Sequence, residues 1–174
     1  MKIIITSLLF ITSISVANAG FIGNTLDADY LYDDIGAVYD GMTDEVVGVD
    51  AEWTILSFSI DADDSSIAIK RSGRYDFGVA GTFNGWSFTD TLGAIDDIIA
   101  VTIDTSTLVG FDSSGISFTQ DSIFLNFIGI DNGTDFYFKV NVDFDSSDSS
   151  VPEPSIIALF GLGLAGLGFA RRRS

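Results

Sequence analysis

The sequence predicts an all-β body, an antiparallel β-sandwich of jelly-roll type, flanked by an apolar segment at each end. From residue 51 to residue 144 apolar and polar residues alternate with a period of two, and no stretch of the body keeps the 3.6-residue period of a helix. Glycine, asparagine, aspartate and serine recur at short intervals, as they do in turns between strands. The two prolines of the chain stand at positions 152 and 154, so none interrupts a strand of the body.

We divide the 174-residue chain into four parts. Residues 1–19 are predicted to be a signal peptide with an apolar helix, and residues 20–144 the β-sandwich body. Residues 145–150 form a flexible linker of serine and aspartate, and residues 151–174 a sorting signal with a single transmembrane helix. The body is long enough for one hydrophobic core.

The N-terminal segment has the three parts of a secretory signal peptide. Lys2 supplies the positive start, and residues 3–16 form an apolar run. Ala17 and Ala19 are the small residues that a signal peptidase requires, so we expect cleavage before Gly20. The alternative is an uncleaved anchor, for which the run is short and polar.

The body divides into short predicted strands. Between residues 20 and 50, tyrosines alternate with aspartates and predict one or two strands. Asn84-Gly85 and Asn132-Gly133 predict two-residue hairpin turns. The other strands are predicted at the alternating apolar residues Trp53 to Ile60, Ile67 to Ile69, Tyr75 to Val79, Trp86 to Phe88, Ile95 to Ile103, Ile116 to Phe118, Ile123 to Ile130 and Phe136 to Phe144.

The charge balance restricts the partners of the body. Residues 20–150 contain 24 acidic residues, whereas their only basic ones are Lys70, Arg71, Arg74 and Lys139. A surface of this sign repels phosphate backbones, so nucleic acid is excluded as a partner. Three of the four bases stand within residues 70–74, and we expect them to pair with neighbouring aspartates rather than to bind a ligand.

The chain has no cysteine and no histidine. This excludes thiol chemistry, Ser-His-Asp catalysis and the usual zinc ligands, and we predict that the protein is not an enzyme. A metal site would need oxygen ligands, which favours calcium as the one cofactor to consider. Asp61, Asp63 and Asp64 are its candidate ligands, and a solvated acidic turn is the alternative.

Three aromatic residues are candidates for a carbohydrate-binding platform. Aromatic rings stack on the apolar faces of sugars, and Tyr30, Tyr32 and Trp86 stand among aspartates and asparagines. Packing in the core is the alternative for each of them.

The C-terminal segment combines a rigid motif, an apolar helix and a basic end. Val151-Pro152-Glu153-Pro154 is predicted to be extended, because each proline disfavours helix at the residue before it. Residues 155–170 would form a helix of about 24 Å, short for a permanent anchor. Arg171, Arg172 and Arg173 resist translocation, so they are expected to remain cytoplasmic.

These three parts closely resemble the PEP-CTERM sorting domain. The resemblance implies export by the general secretory route in a Gram-negative bacterium, with residues 155–170 held in the inner membrane. It further implies cleavage by a membrane protease, an exosortase, and an end at the cell surface or outside the cell. The motif residues are then substrate and not catalyst. The alternative is a tail anchor that is never cut.

The sequence therefore predicts a secreted, non-enzymatic protein of the extracellular matrix or biofilm. Signal peptidase and exosortase are its expected processing partners. A lectin-like module that binds exopolysaccharide, with or without calcium, is the alternative function. A lectin should present exposed tyrosine or tryptophan beside aspartate or asparagine.

Overall fold

The computed structural model describes residues 20–41, 44–48 and 50–145 of the chain. Within them it contains one 3-10 helix, Ser113–Gly115, and strands whose pairs are all antiparallel, so the all-β prediction is confirmed. The strands are β1 (Thr25–Asp33), β2 (Val38–Gly41), β3 (Glu45–Val46), β4 (Trp53–Ile55), β5 (Phe58–Asp63), β6 (Ser66–Arg71), β7 (Tyr75–Asp76), β8 (Phe83–Thr89), β9 (Ile98–Ser106), β10 (Ile116–Phe118), β11 (Ser122–Asn126), β12 (Asp131–Asn132) and β13 (Phe136–Phe144).

Three predicted segments lie outside the described residues. They are the signal peptide at 1–19, the linker after Asp145, and the sorting signal with its helix at 151–174. In the part of the chain that the structure describes, no helix is long and apolar enough to span a membrane.

The first large sheet has the strand order β10-β11-β8-β1-β2, and β3 pairs with the first two residues of β1. β8 lies at the centre of this sheet. Six of its seven residues are buried, so the strand packs on both faces. Its register places Trp86 opposite Tyr30 of β1 and Asn84 opposite Tyr32. The central strand thus brings a core tryptophan and a polar amide beside two tyrosines.

The second large sheet has the strand order β4-β5-β6-β13-β9. In β5 the apolar residues Phe58, Ile60 and Ala62 are buried, whereas the alternating Ser59 and Asp61 are only partly covered. This alternation is the expected pattern for a sheet with one face in the core and one in water. A separate pair, β7 with β12, lies outside both sheets.

The core forms where the two large sheets pack face to face. Phe58 of the second sheet meets Trp86 of the first with ring centroids 4.6 Å apart, and Trp53 meets Phe88 at 6.3 Å. Each large side chain buried in this way stabilises the fold by about 1.5–3 kcal/mol. The face-to-face packing agrees with the predicted sandwich, while the jelly-roll assignment stays a prediction.

The predicted hairpin at Asn84-Gly85 is wrong, because both residues lie inside β8. The hydroxyl of Tyr30 donates to the side-chain oxygen of Asn84, so the amide is used inside the sheet. A Cβ at Gly85 would collide with the carbonyl oxygen of Leu125, so glycine serves close strand approach here. The predicted hairpin at Asn132-Gly133 is wrong as well, because Asn132 is the last residue of β12, which pairs with β7 and not with β13.

Candidate functional site

Three tyrosines gather at the β1–β2 edge of the first sheet. Tyr30 and Tyr32 lie two residues apart on β1 and therefore share a face. Tyr30 pairs with Asp40 and Leu31 pairs with Val38, so Tyr39 is left as the extra residue of a β-bulge. The bulge brings the Tyr39 ring to 6.1 Å from each of the other two tyrosine rings, measured between centroids.

A fourth tyrosine joins this group through hydrogen bonds. The Tyr30 hydroxyl donates to Asn84, and the hydroxyls of Tyr30 and Tyr75 lie 3.3 Å apart. Because the one hydroxyl hydrogen of Tyr30 is used in the hydrogen bond to the amide oxygen of Asn84, Tyr75 is the donor in the hydrogen bond with Tyr30. The chain Tyr75–Tyr30–Asn84 fixes the rings of both tyrosines at the base of the group.

The four tyrosines line one open cleft of about 440 Å³. Ligand sites in proteins commonly have volumes of about 300–1,000 Å³ and combine apolar walls with a few polar groups. Tyr32 is 39% exposed and Tyr39 is 66% exposed, so their ring faces are open to a ligand. The remaining wall residues are Leu56, Asp76, Phe77, Gly78 and Asn84.

The polar groups of the cleft have fixed roles. Burial is the largest cause that raises the pKa of Tyr30, so its hydroxyl stays protonated at neutral pH. One carboxylate oxygen of Asp76 accepts the backbone N–H of Gly78 at 2.8 Å. A carboxylate has further lone pairs, so Asp76 can also accept from a ligand hydroxyl.

Trp86 is not part of this surface, and its assignment to a carbohydrate platform is wrong. Its side chain is fully buried, with its ring packed against those of Phe58 and Phe127. Tyr30 is only 3% exposed, so it contributes its hydroxyl to the cleft rather than an open ring face. Of the three predicted residues, only Tyr32 presents a ring to solvent.

Sequence reasoning missed Tyr39, Tyr75, Asp76 and Asn84 as site residues. One signal could have found the tyrosines. The chain has 15 phenylalanines and five tyrosines, and a phenol is favoured over a phenyl ring where one end reaches water or a polar partner. Four of the five tyrosines line the cleft, whereas phenylalanines supply much of the core.

The three candidate calcium ligands do not form a metal site. Asp61 and Asp63 project from the outer face of β5, and Asp64 follows in the turn to β6. Within residues 20–41, 44–48 and 50–145, no three acidic side chains lie close enough to hold a metal ion together. The side chains of Asp63 and Asp64 are exposed, in agreement with the alternative of a solvated acidic turn.

The predicted processing residues lie mostly outside the described part of the chain. This holds for Ala17 and Ala19 and for the sorting residues Val151, Pro152, Glu153, Pro154, Arg171, Arg172 and Arg173. Gly20 is described and buried, and the next residue, Phe21, donates its N–H to the carbonyl oxygen of Asp64 at 2.9 Å. Cleavage before Gly20 stays a prediction.

Comparison with known families matches residues 150–173 to the PEP-CTERM protein-sorting motif. Comparison with curated proteins and with solved structures finds no match for the chain. The matched motif implies export, a membrane-anchored intermediate and processing by an exosortase. The chain thus carries a PEP-CTERM sorting motif at its C-terminus, as an exosortase substrate does.

Proposed function

We propose that this protein is a non-enzymatic component of the extracellular matrix that binds exopolysaccharide through the tyrosine cleft. Signal peptidase and exosortase release it to the surface of a Gram-negative bacterium, where the polysaccharide retains it. The sorting motif supports the destination, and the composition, without histidine or cysteine, supports a binding role rather than catalysis.

The observation that carries the proposal is the exposed pair Tyr32 and Tyr39 beside Asn84 and Asp76. Sugar rings have apolar faces and a rim of hydroxyls, so a site for them needs aromatic faces next to amide or carboxylate groups. The cleft supplies both kinds of group within one concave surface. The bulge at Tyr39 supports this role, because bulges recur where a sheet edge re-aims a side chain for function.

A purely structural matrix role is the competing function. It predicts that the tyrosines have no ligand and that the protein stays in the matrix by other contacts. One measurement distinguishes the two functions: the binding of the purified exported protein to immobilised exopolysaccharide from the same cells.

The test variants are Tyr32→Ala and Tyr39→Ala. Loss of one stacking ring typically costs about 1 kcal/mol, so we expect each variant to bind about fivefold more weakly. Phe118→Ala is the matched control, because Phe118 is a 41% exposed aromatic residue on β10, at the opposite edge of the same sheet. Equal binding by all three variants and the unchanged protein would support the structural role instead.

A further inference from the structure

Gly20, the residue expected to follow the signal peptide, is built into the fold. The side-chain amide of Asn24 donates to the carbonyl oxygen of Gly20 at 2.7 Å. The N–H of the next residue, Phe21, donates to the carbonyl oxygen of Asp64 at 2.9 Å. The predicted first residue of the exported body is therefore fixed against the turn between β5 and β6.

Gly20 and Asp64 approach each other so closely that only glycine fits at position 20. A Cβ built on Gly20 would lie 2.1 Å from the carbonyl oxygen of Asp64 and 2.3 Å from its Oδ1 atom. The N and Cβ atoms of one residue are about 2.5 Å apart, so the nitrogen of Gly20 lies within about 5 Å of this carboxylate oxygen. The bound holds whichever way the nitrogen points.

Cleavage before Gly20 changes the charge of this nitrogen. In the uncut chain it belongs to a neutral amide. In the cut chain it is an α-amino group, whose ordinary pKa of about 8 makes it an ammonium at neutral pH. An opposite charge within about 4–6 Å favours the charged form. Cleavage therefore places a new cation beside an existing carboxylate.

Among the described residues, no salt bridge joins the carboxylate of Asp64 to a lysine or an arginine. The expected pairing of the basic cluster with aspartates holds for Arg74, which forms an ion pair with Asp131 at 2.7 Å. It fails within the described residues for Lys70 and Arg71, because both lie over aromatic rings instead. The carboxylate of Asp64 is thus available to a cation from the new N-terminus.

The two ends of the body meet at this place. The ring of Phe21 is 1% exposed and packs edge to face against that of Phe144, with centroids 5.1 Å apart. Phe144 is the last residue of β13, the strand that leads to the linker and the sorting signal. An interaction that holds Gly20 in place therefore also stabilises the contact between the first residues of the body and its last strand.

We infer that the α-ammonium of Gly20, formed when signal peptidase cuts the chain, binds the carboxylate of Asp64 and fixes the N-terminus against the end of β13. The inference rests on the predicted cleavage before Gly20 and is independent of the carbohydrate proposal. Removal of the signal peptide then stabilises the exported body, in addition to freeing its N-terminus from the membrane.

The test compares two exported forms of the protein by thermal denaturation at pH 7 and physiological ionic strength. One form starts at Gly20, and the other carries three serines inserted after Ala19, which move the ammonium about 10 Å away. Mass spectrometry identifies both N-termini. Because an exposed ion pair contributes modestly to stability, we expect Asp64→Asn to lower the melting temperature of the first form by about 2–3 °C and to leave that of the second unchanged.

Asp61→Asn is the matched control. It removes the same charge three residues earlier, about 10 Å along the strand and beyond the screening length of about 8 Å. It should therefore change the melting temperature of both forms to the same extent.

A second measurement reports on the ammonium itself. The carboxylate raises the pKa of the α-amino group, so less of the amine is unprotonated and reactive at pH 7. Asp64→Asn should therefore speed the acylation of the Gly20 amine by about fivefold, followed by mass spectrometry of the N-terminal peptide. Asp61→Asn should leave the rate unchanged.

An equal loss of melting temperature in both forms would show that Asp64 acts only through its turn, and would overturn the inference. An acylation rate that Asp64→Asn leaves unchanged would also overturn it, as would an exported protein that starts at another residue. Where the two measurements disagree, the acylation rate decides, because it depends on the ammonium alone. None of these results bears on the binding test of Tyr32 and Tyr39.

Discussion

Asp27 and Asp29 project side by side from the partly covered face of β1, close to Asp44. Burial, together with repulsion from the neighbouring acids, raises the pKa of both carboxyl groups above the ordinary value of 3.8. A raised pKa means that the folded state binds the proton more readily than the unfolded state. The contribution of the two carboxyl groups to stability is therefore fully present below pH 3.8, and it is lost as the pH rises through their native pKa.

We expect Asp29→Asn to raise the melting temperature by a few degrees at pH 7, because the variant removes a charge that the fold disfavours. The gain should disappear near pH 3, where the native carboxyl is protonated as well. Thermal denaturation at both pH values measures this. A gain that is equal at the two values would contradict the electrostatic cause.

Asp112→Asn supplies a control of opposite sign. Hydrogen bonds from the hydroxyl and the N–H of Ser114 lower the pKa of Asp112, which caps the 3-10 helix. The contribution of Asp112 to stability is present above the ordinary pKa of an aspartate, and it is lost as the pH falls through the lowered native pKa. This variant should therefore melt at a lower temperature at pH 7, and the loss should shrink toward pH 3.

Single residues also show where sequence reasoning stops. Period-two alternation identifies Tyr30 and Tyr32 as neighbours on one face, but it does not distinguish a buried phenol from an open one. Trp86 is a candidate for a sugar-stacking platform because its ring is aromatic, whereas it lies buried in the central strand. Tyr39 and Tyr75 reach the cleft from different strands, so only the tertiary pairing brings them together.

At the scale of elements, β8 holds the first sheet together, because it pairs with both β1 and β11. Gly85 lies where β8 meets β11, opposite Asn126 in register. We expect Gly85→Ala to destabilise the protein by about 2 kcal/mol or more, because the added methyl group must displace the backbone of β11. The free energy of unfolding in urea measures this.

Gly36→Ala is the matched control for that variant. No atom lies within 4 Å of a Cβ built at Gly36, and its φ lies outside the left-handed region. It should leave stability unchanged or slightly raise it. A similar loss in both variants would show that Gly85 is sensitive for reasons other than strand approach.

Strands with one face in the core and the other in solvent can be predicted from the sequence, because their apolar and polar residues alternate. β5 and β13 alternate between buried and partly exposed residues and were placed from that pattern. β8 is buried on both faces, so alternation carries no signal there, and Asn84-Gly85 looked like a turn. Dipeptide turn signals describe local preference, and a central strand can override them where a polar side chain finds a buried partner.

At the scale of the whole molecule, the chain joins an all-β body with a tyrosine cleft to a sorting motif. The cleft belongs to the described residues, and the motif occupies residues 150–173. The proposed function requires that the body reach the polysaccharide, and we expect this to follow its release from the membrane. Processing and binding are therefore successive steps, and each can be tested without the other.

Mass spectrometry of the exported protein tests the processing step. We expect an N-terminus at Gly20 and a C-terminus upstream of the apolar segment, whereas cells without the exosortase should retain a membrane-bound form that ends at Ser174. Replacing Pro152 and Pro154 with alanine should give the same retained form in normal cells, because the extended conformation ahead of the helix would be lost. Asp148→Ala, a change in the neighbouring linker, should be processed normally. An exported protein that still ends at Ser174 would contradict cleavage and favour a permanent tail anchor.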